Sequence, residues 1–107
     1  MPLLWLISEM VHKVLIDEEA LGWGKKNIEL IKKKYEIVFM VGTNPAPLQG
    51  SGDELIGNFC EKENCNILTG DYTLYLDLLN NPRISAIQIE KFAVEDTKRQ
   101  IHLIRIL

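Results

Sequence analysis

The stretch K-V-L-I-D-E-E, residues 13–19, decides the fold predicted for this chain. Val14, Leu15 and Ile16 form a continuous apolar run, which is typical of a strand buried on both faces of a parallel sheet. The run stops at Asp17, and two glutamates follow it. Open α/β sheets build their sites at the carboxyl ends of such strands. The stretch therefore predicts a central strand with a site directly after it.

Short apolar runs and helical patterns alternate through the rest of the chain. Further strands are predicted at 37–41, 66–69, 84–89 and 101–106, and helices at about 23–34, from the turn after Ser51 to about Glu63, and at 72–79. The spacing of Ser51 and Glu54 predicts a capping box at the start of the second helix. A helix over 95–107 is the alternative for the C-terminus, but its β-branched residues favour the strand. The alternation predicts an α/β fold with a mostly parallel sheet of four to five strands, helices on both faces and an antiparallel strand at one edge.

Composition bounds the class of protein. The chain has 107 residues, of which 47% are apolar and 25% charged, and its net charge is −3. These values indicate one globular domain over residues 1–107 and exclude a fibrous or wholly disordered chain. They also argue against a sequence-indifferent nucleic-acid binder with a broad cationic surface.

Two local features bear on compartment and assembly. Cys60 and Cys65 fit neither a CxxC redox pair nor a zinc knuckle, so two reduced core thiols are expected, with a local disulfide as the alternative. The apolar N-terminal arm, residues 1–10, is too short to span a bilayer and lacks the positive start of a signal peptide. We therefore expect a cytoplasmic protein without a membrane partner. The arm is expected to pack on a twofold partner in a homodimer, with packing on its own domain as the alternative.

Acidic residues follow each of the first three predicted strands. Asp17 follows the first strand, Asp71 follows the third, and Asp53 and Glu54 lie in the first turn of the helix after the second. Parallel strands deliver these positions to one edge of the sheet. Converging carboxylates are hard oxygen ligands that suit Mg²⁺ or Mn²⁺, and such ions can clamp a phosphodiester and activate water.

Asp17 is hard to explain as a helix cap, because none is needed between the first strand and Gly22, but the other acids have simpler interpretations. Asp53 and Glu54 favour a helix dipole, and Asp71 could merely cap the helix that begins at Tyr72. Glu18 and Glu19 could be solvated. Asp77, six residues after Asp71, is expected to be an exposed helix residue.

Three motifs together carry a resemblance. K-V-L-I-D-E-E, then G-D-E-L-I at residues 52–56 and I-L-T-G-D at residues 67–71 agree in order and spacing with the PIN-like domain family, small prokaryotic proteins related to PIN domain ribonucleases. The resemblance spans about residues 13–90. It implies a three-layer sandwich and a metal-dependent ribonuclease that cuts single-stranded RNA with Mg²⁺ or Mn²⁺.

The resemblance also implies roles for individual residues. Asp17 would be the first metal ligand with Glu18 beside it, Asp53 the acid that opens the helix, and Asp71 the acid of the Thr-x-Asp motif, oriented by Thr69. Asp17, Asp53 and Asp71 would be catalytic, and Glu54 would support them. This sequence departs from the family pattern in having Thr73 where a second Asp is common and Glu19 where Asn is usual.

Partners follow from the same resemblance. Many PIN domains are toxins held inactive by an antitoxin, so an antitoxin or another protein partner is expected beside single-stranded RNA. Candidate contacts to the RNA backbone are Lys13, Lys25, Lys26, Lys98 and Arg99. The alternative is a non-catalytic PIN-like binding or interaction module that keeps the fold and dimerises.

Overall fold

A computed structural model of the chain describes residues 12–84, 87–92 and 100–106. The strands are β1 (Lys13–Ile16), β2 (Ile37–Met40), β3 (Asn66–Thr69), β4 (Ile87–Lys91) and β5 (His102–Ile106). The helices are α1 (Leu21–Lys26), α2 (Ile28–Lys34), α3 (Asp53–Glu63) and α4 (Tyr72–Leu79), and a 3₁₀ turn covers Glu18–Ala20. The N-terminal arm, Lys98 and Arg99 lie outside the described residues.

The five strands form one mixed sheet in the order β2-β1-β3-β5-β4. β1 pairs in parallel with β2 and β3, whereas β5 is antiparallel to both β3 and β4. The α/β class is confirmed, but the expectation of a mostly parallel sheet with an antiparallel edge strand is wrong. Leu103 and Ile104 of β5 are both buried and point to opposite faces, which suits an inner strand, while β4 exposes Gln88 and lies at the edge.

Helices cover both faces of the sheet. Leu15 of β1 packs in one apolar cluster with residues of α3 and α4, including Ile56 and Leu74. Val14 and Ile16, which alternate with Leu15, pack in a second cluster with residues of α1 and α2. Burial on both faces is why β1 reads as an unbroken apolar run.

The element boundaries confirm some predictions and correct others. The predicted bounds of β3 and α4 are confirmed, as is a strand rather than a helix at His102–Ile106. The single helix expected at 23–34 is wrong, because the chain breaks at Asn27, whose side-chain amide donates to the Trp23 carbonyl at 2.9 Å. The capping box is also wrong: α3 begins at Asp53 with Gly52 as its N-cap and has no side-chain capping bond.

The structure also bears on the predictions about the cysteines and about a membrane. Cys60 and Cys65 are free thiols, both fully buried, as the reduced-core interpretation predicts. Within the described ranges, no helix is long and apolar enough to cross a membrane.

Candidate acidic site at the sheet edge

The parallel pairing of β1 with β3 carries two aspartates to one edge of the sheet. Asp17 comes directly after β1, and its backbone N–H still donates to the Leu68 carbonyl of β3 at 2.9 Å. Asp71 follows β3 after one intervening glycine. We call this region the acidic edge; Asp53 and Asp77 also belong to it.

Asp17 is a buried carboxylate with both oxygens engaged. It is 6% exposed; one oxygen accepts from the Glu18 backbone N–H at 2.9 Å and the other from the Thr69 hydroxyl at 2.8 Å. Burial raises the pKa of Asp17 above its ordinary value, and the negative charges of Asp71 and Glu18 raise it further, although the two hydrogen bonds act in the opposite direction. The bond to Glu18 also makes Asp17 the N-cap of the 3₁₀ turn.

Thr69 connects the two aspartates. Its hydroxyl donates to Asp17 and accepts from the Asp71 backbone N–H at 3.0 Å, and the residue is only 1% exposed. The expected role of orienting Asp71 is therefore exerted through the backbone of that residue. The structure adds a second contact that the resemblance did not imply, because Thr69 also fixes the carboxylate of Asp17.

Asp71 has the capping role that was the simpler of its two interpretations. One carboxylate oxygen accepts from the Thr73 N–H at 2.9 Å and from the Thr73 hydroxyl at 2.5 Å, at the start of α4. Thr73 thus donates two hydrogen bonds to Asp71 and holds its carboxylate in place. This cap uses one carboxylate oxygen of Asp71 and does not engage the other.

Asp53 meets a partner that sequence reasoning missed. Asp77, expected to be an exposed helix residue, interacts with the Asp53 carboxyl group. Burial first, then Asp77, and then the charges of Asp71 and Asp17 raise the pKa of Asp53 from 3.8 to about 6. Asp77 remains exposed, and only the packing of α3 against α4 brings it to Asp53. No spacing within the sequence carries that information.

Of the three glutamates, Glu18 has a hydrogen-bond partner in a loop. Glu18 accepts from the Gly50 backbone N–H at 2.6 Å and so ties the 42–52 loop to the 3₁₀ turn. Gly50 has a φ of +83°, a conformation that favours glycine. Glu19 and Glu54 are exposed.

Lys13, one of the predicted RNA contacts, lies away from the acidic edge. Lys13 begins β1 at the opposite end of the strand, and its ammonium lies 3.7 Å from the Glu63 carboxylate. Lys25 and Lys26 are exposed in the last turn of α1. The placement of Lys13 does not favour a contact with RNA bound at the acidic edge.

An aromatic group that sequence reasoning missed borders Asp71. Tyr72 is 51% exposed, and its ring centroid lies 5.9 Å from that of His102 and 5.6 Å from that of Tyr75. His102 pairs across the sheet with Lys91 at the end of β4. The position of Tyr72 directly after the Thr-x-Asp motif was the signal available in the sequence.

The donor set at the acidic edge has the chemistry that Mg²⁺ or Mn²⁺ prefers, since every candidate ligand is a carboxylate oxygen. The arrangement is not preformed: over residues 12–84, 87–92 and 100–106, no three His, Cys, Asp or Glu side chains are grouped so that they could hold a metal ion. Binding at this edge would therefore require the acidic side chains to move toward the ion.

The fold and the site define a class, an α/β protein with a mixed five-stranded sheet and an acidic edge. No protein-family model, curated protein or solved structure matches the chain. The PIN-like resemblance therefore rests on the three short motifs, and the function is argued from the site.

Proposed function

We propose that this protein is a metal-dependent ribonuclease of the PIN-like type that hydrolyses phosphodiester bonds of single-stranded RNA. The observation that carries the proposal is the placement of two acids from neighbouring parallel strands, Asp17 and Asp71, on either side of Thr69, with Asp53 near enough that their charges help to raise its pKa to about 6. Such clusters oppose folding, and proteins keep them chiefly where a site requires them.

The charges around these acids favour the binding of a cation. Within the described part of the chain, the groups that shift the pKa values of Asp17 and Asp53 are other acids and hydrogen-bond donors, with no lysine or arginine among them. A divalent cation would supply the balancing charge. In this proposal Asp17, Asp53 and Asp71 hold Mg²⁺ or Mn²⁺, with Glu18 beside them and Glu54 in support.

Several residues of the chain would position the carboxylates that bind the cation. A bound divalent cation activates water and neutralises charge that develops on the phosphodiester. Thr69 and the Glu18 N–H fix the two oxygens of Asp17, and Thr73 fixes one oxygen of Asp71.

The aromatic group supports a single-stranded substrate. Unpaired bases stack on exposed aromatic side chains, and Tyr72 offers such a face beside Asp71. His102 and Lys91 continue from Tyr72 along the same edge of the sheet. In the toxin-type form of the proposal, an antitoxin would cover this edge in the cytoplasm.

A cleavage assay tests the proposal. The parent protein should cut an end-labelled single-stranded RNA with Mn²⁺ or Mg²⁺, and Asp17→Asn and Asp71→Asn should each lower the rate by orders of magnitude. Glu61→Gln, which changes an exposed acid on α3, is the matched control and should cut at the parent rate. Equal rates in all four proteins, or no cleavage by the parent with either metal, would reject the nuclease.

The second candidate is a non-catalytic PIN-like interaction module that dimerises. Two observations favour it: Asp17 and Asp71 both have capping roles, and no metal-holding group is preformed among the residues described. This candidate predicts no cleavage and no metal-specific stabilisation, so the same proteins discriminate between the two functions.

A further inference from the structure

The two outermost strands of the sheet differ in how their outer sides are protected. In the part of the chain that the structure describes, β2 pairs only with β1 and β4 only with β5. β4 carries charged side chains, and its Glu90 forms an ion pair with Arg105 of β5 at 2.8 Å. Charges on an outermost strand discourage pairing with another chain. β2 has the sequence I-V-F-M and carries no charge, so its outer side is open to a further strand.

Backbone groups of β2 face this outer side. The Val41 N–H donates to the Ile16 carbonyl at 3.1 Å, and the Ile37 N–H is also directed toward the chain that forms β1. Hydrogen-bonding direction alternates from one residue of a strand to the next. The N–H groups of Val38 and Met40 therefore face away from β1. Across the described ranges no strand lies beside them.

The side chains of β2 are apolar and incompletely covered on both faces. Phe39 packs against Phe59 of α3 with the ring centroids 5.1 Å apart, and Ile37 is 38% exposed. On the opposite face, Val38 and Met40 are partly buried against the cluster under α1 and α2. A strand added beside β2 would extend both apolar clusters. It would therefore have apolar residues at successive positions rather than at alternate ones.

The N-terminal arm has the sequence that such a strand requires. Residues 3–7, L-L-W-L-I, are consecutive apolar residues, and β2 itself is four residues long. A contiguous apolar stretch of this kind is unfavourable in water. By contrast, residues 93–99, which also lie outside the described residues, include four charged side chains. The arm is thus the segment of this chain whose chemistry fits the outer side of β2.

The topology favours the arm of a second copy over the arm of the same chain. The His12 carbonyl accepts from the N–H groups of Glu36 and Ile37 at 3.0 and 3.3 Å, so the entries to β1 and β2 lie side by side at one end of the sheet. To place its own arm on the outer side of β2, the chain would have to cross the entry to β2 with residues 8–11. Connections that cross at one end of a sheet are rare. An arm that comes from another copy avoids this crossing.

We infer that residues 3–7 of a second copy add as a strand to the outer side of β2, and that two copies exchange their arms in this way in a homodimer. The exchange is reciprocal, as a twofold dimer requires. The added strand pairs with the backbone of Val38 and Met40 and covers the side chain of Ile37. The inference is independent of the proposed nuclease, because it uses neither the acidic edge nor a metal.

Hydrogen exchange followed by NMR, together with light scattering, tests the inference on the full chain. At a concentration at which the parent is a dimer, the Val38 and Met40 amides should exchange about tenfold more slowly than in Ile37→Lys, which should be a monomer because it places a charge on the open strand. Gln88→Lys places the same charge on β4 and is the matched control, which should behave as the parent does. The Ile67 amide of β3, a strand paired on both sides, should stay protected in all three proteins and so establishes that each is folded.

Deletion of residues 2–8 gives a second variant that leaves β2 unchanged. It should also be a monomer with rapid exchange at Val38 and Met40. A dimeric parent in which these two amides exchange as rapidly as in the deletion variant would place the contact elsewhere and overturn the inference. Slow exchange in a monomeric parent would show that the arm of the same chain covers β2, and would overturn the exchange between copies. Equal behaviour of Ile37→Lys and Gln88→Lys would contradict a role for β2.

Discussion

Thr69 shows how the acidic edge depends on a single hydroxyl group. It is buried at the end of β3, where it donates to the Asp17 carboxylate and accepts from the Asp71 backbone. A buried acceptor that loses its donor costs about 1–3 kcal/mol, more than a typical hydrogen bond contributes. Two acids from different strands are therefore positioned by a residue that cannot itself ionise.

Thr69→Val should lower the free energy of unfolding by about 1–3 kcal/mol, because Asp17 loses its donor and the Asp71 N–H loses its acceptor. Thr69→Ser keeps the hydroxyl and should lose less. Urea denaturation of the three proteins measures the difference. A valine variant as stable as the parent would show that the Thr69 contacts do not position the acids.

Asp53 gives stability a pH dependence of defined sign. Its pKa is raised from 3.8 to about 6, so the folded state binds the proton more tightly than the unfolded state. This contribution is fully present below about pH 4 and is lost as the pH rises through about 6. The raised pKa of Asp17 acts in the same direction.

In chelator, Asp53→Asn should therefore flatten the fall in unfolding free energy between about pH 4 and 6, and Asp77→Asn should flatten it in part. Urea denaturation at several pH values measures the slope. Glu61→Gln should retain the parent slope. Identical slopes in the parent and Asp53→Asn would contradict the assigned pKa shift.

At the scale of elements, a close approach of α1 to β1 fixes the layer under the acidic edge. A Cβ at Gly24 would lie 2.8 and 2.9 Å from two side-chain carbons of Ile16, which is fully buried. Gly22, on the same helix, has nothing within 4 Å of that position. The two glycines therefore have opposite expected responses to the same substitution.

Gly24→Ala should destabilise the protein by about 1–3 kcal/mol through overpacking against Ile16. Gly22→Ala should stabilise it by up to about 1 kcal/mol, because alanine is the better helix former. The two melting temperatures should fall on opposite sides of the parent value. Equal shifts in both variants would mean that α1 does not pack on β1 as described.

Strands and helices could be predicted from the sequence where interactions between residues close together in the chain determine them. The apolar run of β1, and the turn residues that bound β3 and α4, are all local signals. Strand order is not local, so the inner position of β5 escaped prediction. The pairing of Asp77 with Asp53 escaped for the same reason, because it depends on how two helices pack.

At the scale of the whole molecule, apolar side chains remain on the surface. Leu55, Leu76 and Leu79 are among the exposed large hydrophobic residues. Residues 2–8 of the N-terminal arm, which lie outside the described residues, are also apolar. Together these side chains favour self-association.

Deletion of residues 2–8 should lower the mass of the particle measured by light scattering from that of a dimer to that of a monomer. The physical reason is the removal of a contiguous apolar stretch that is unfavourable in water. A monomer both before and after the deletion would reject the homodimer.

The central claim is that the acidic edge binds a divalent cation, and thermal melting with and without Mn²⁺ tests it most directly. At about 100 times the dissociation constant, binding to the folded state contributes about 2.7 kcal/mol, which corresponds to several degrees in a domain of this size. The parent should gain that increment over its melting temperature in chelator, whereas Asp17→Asn and Asp71→Asn should not. If Mn²⁺ shifts the parent and both variants alike, or shifts none of them, these acids are caps and surface charges and the metal-site account is wrong.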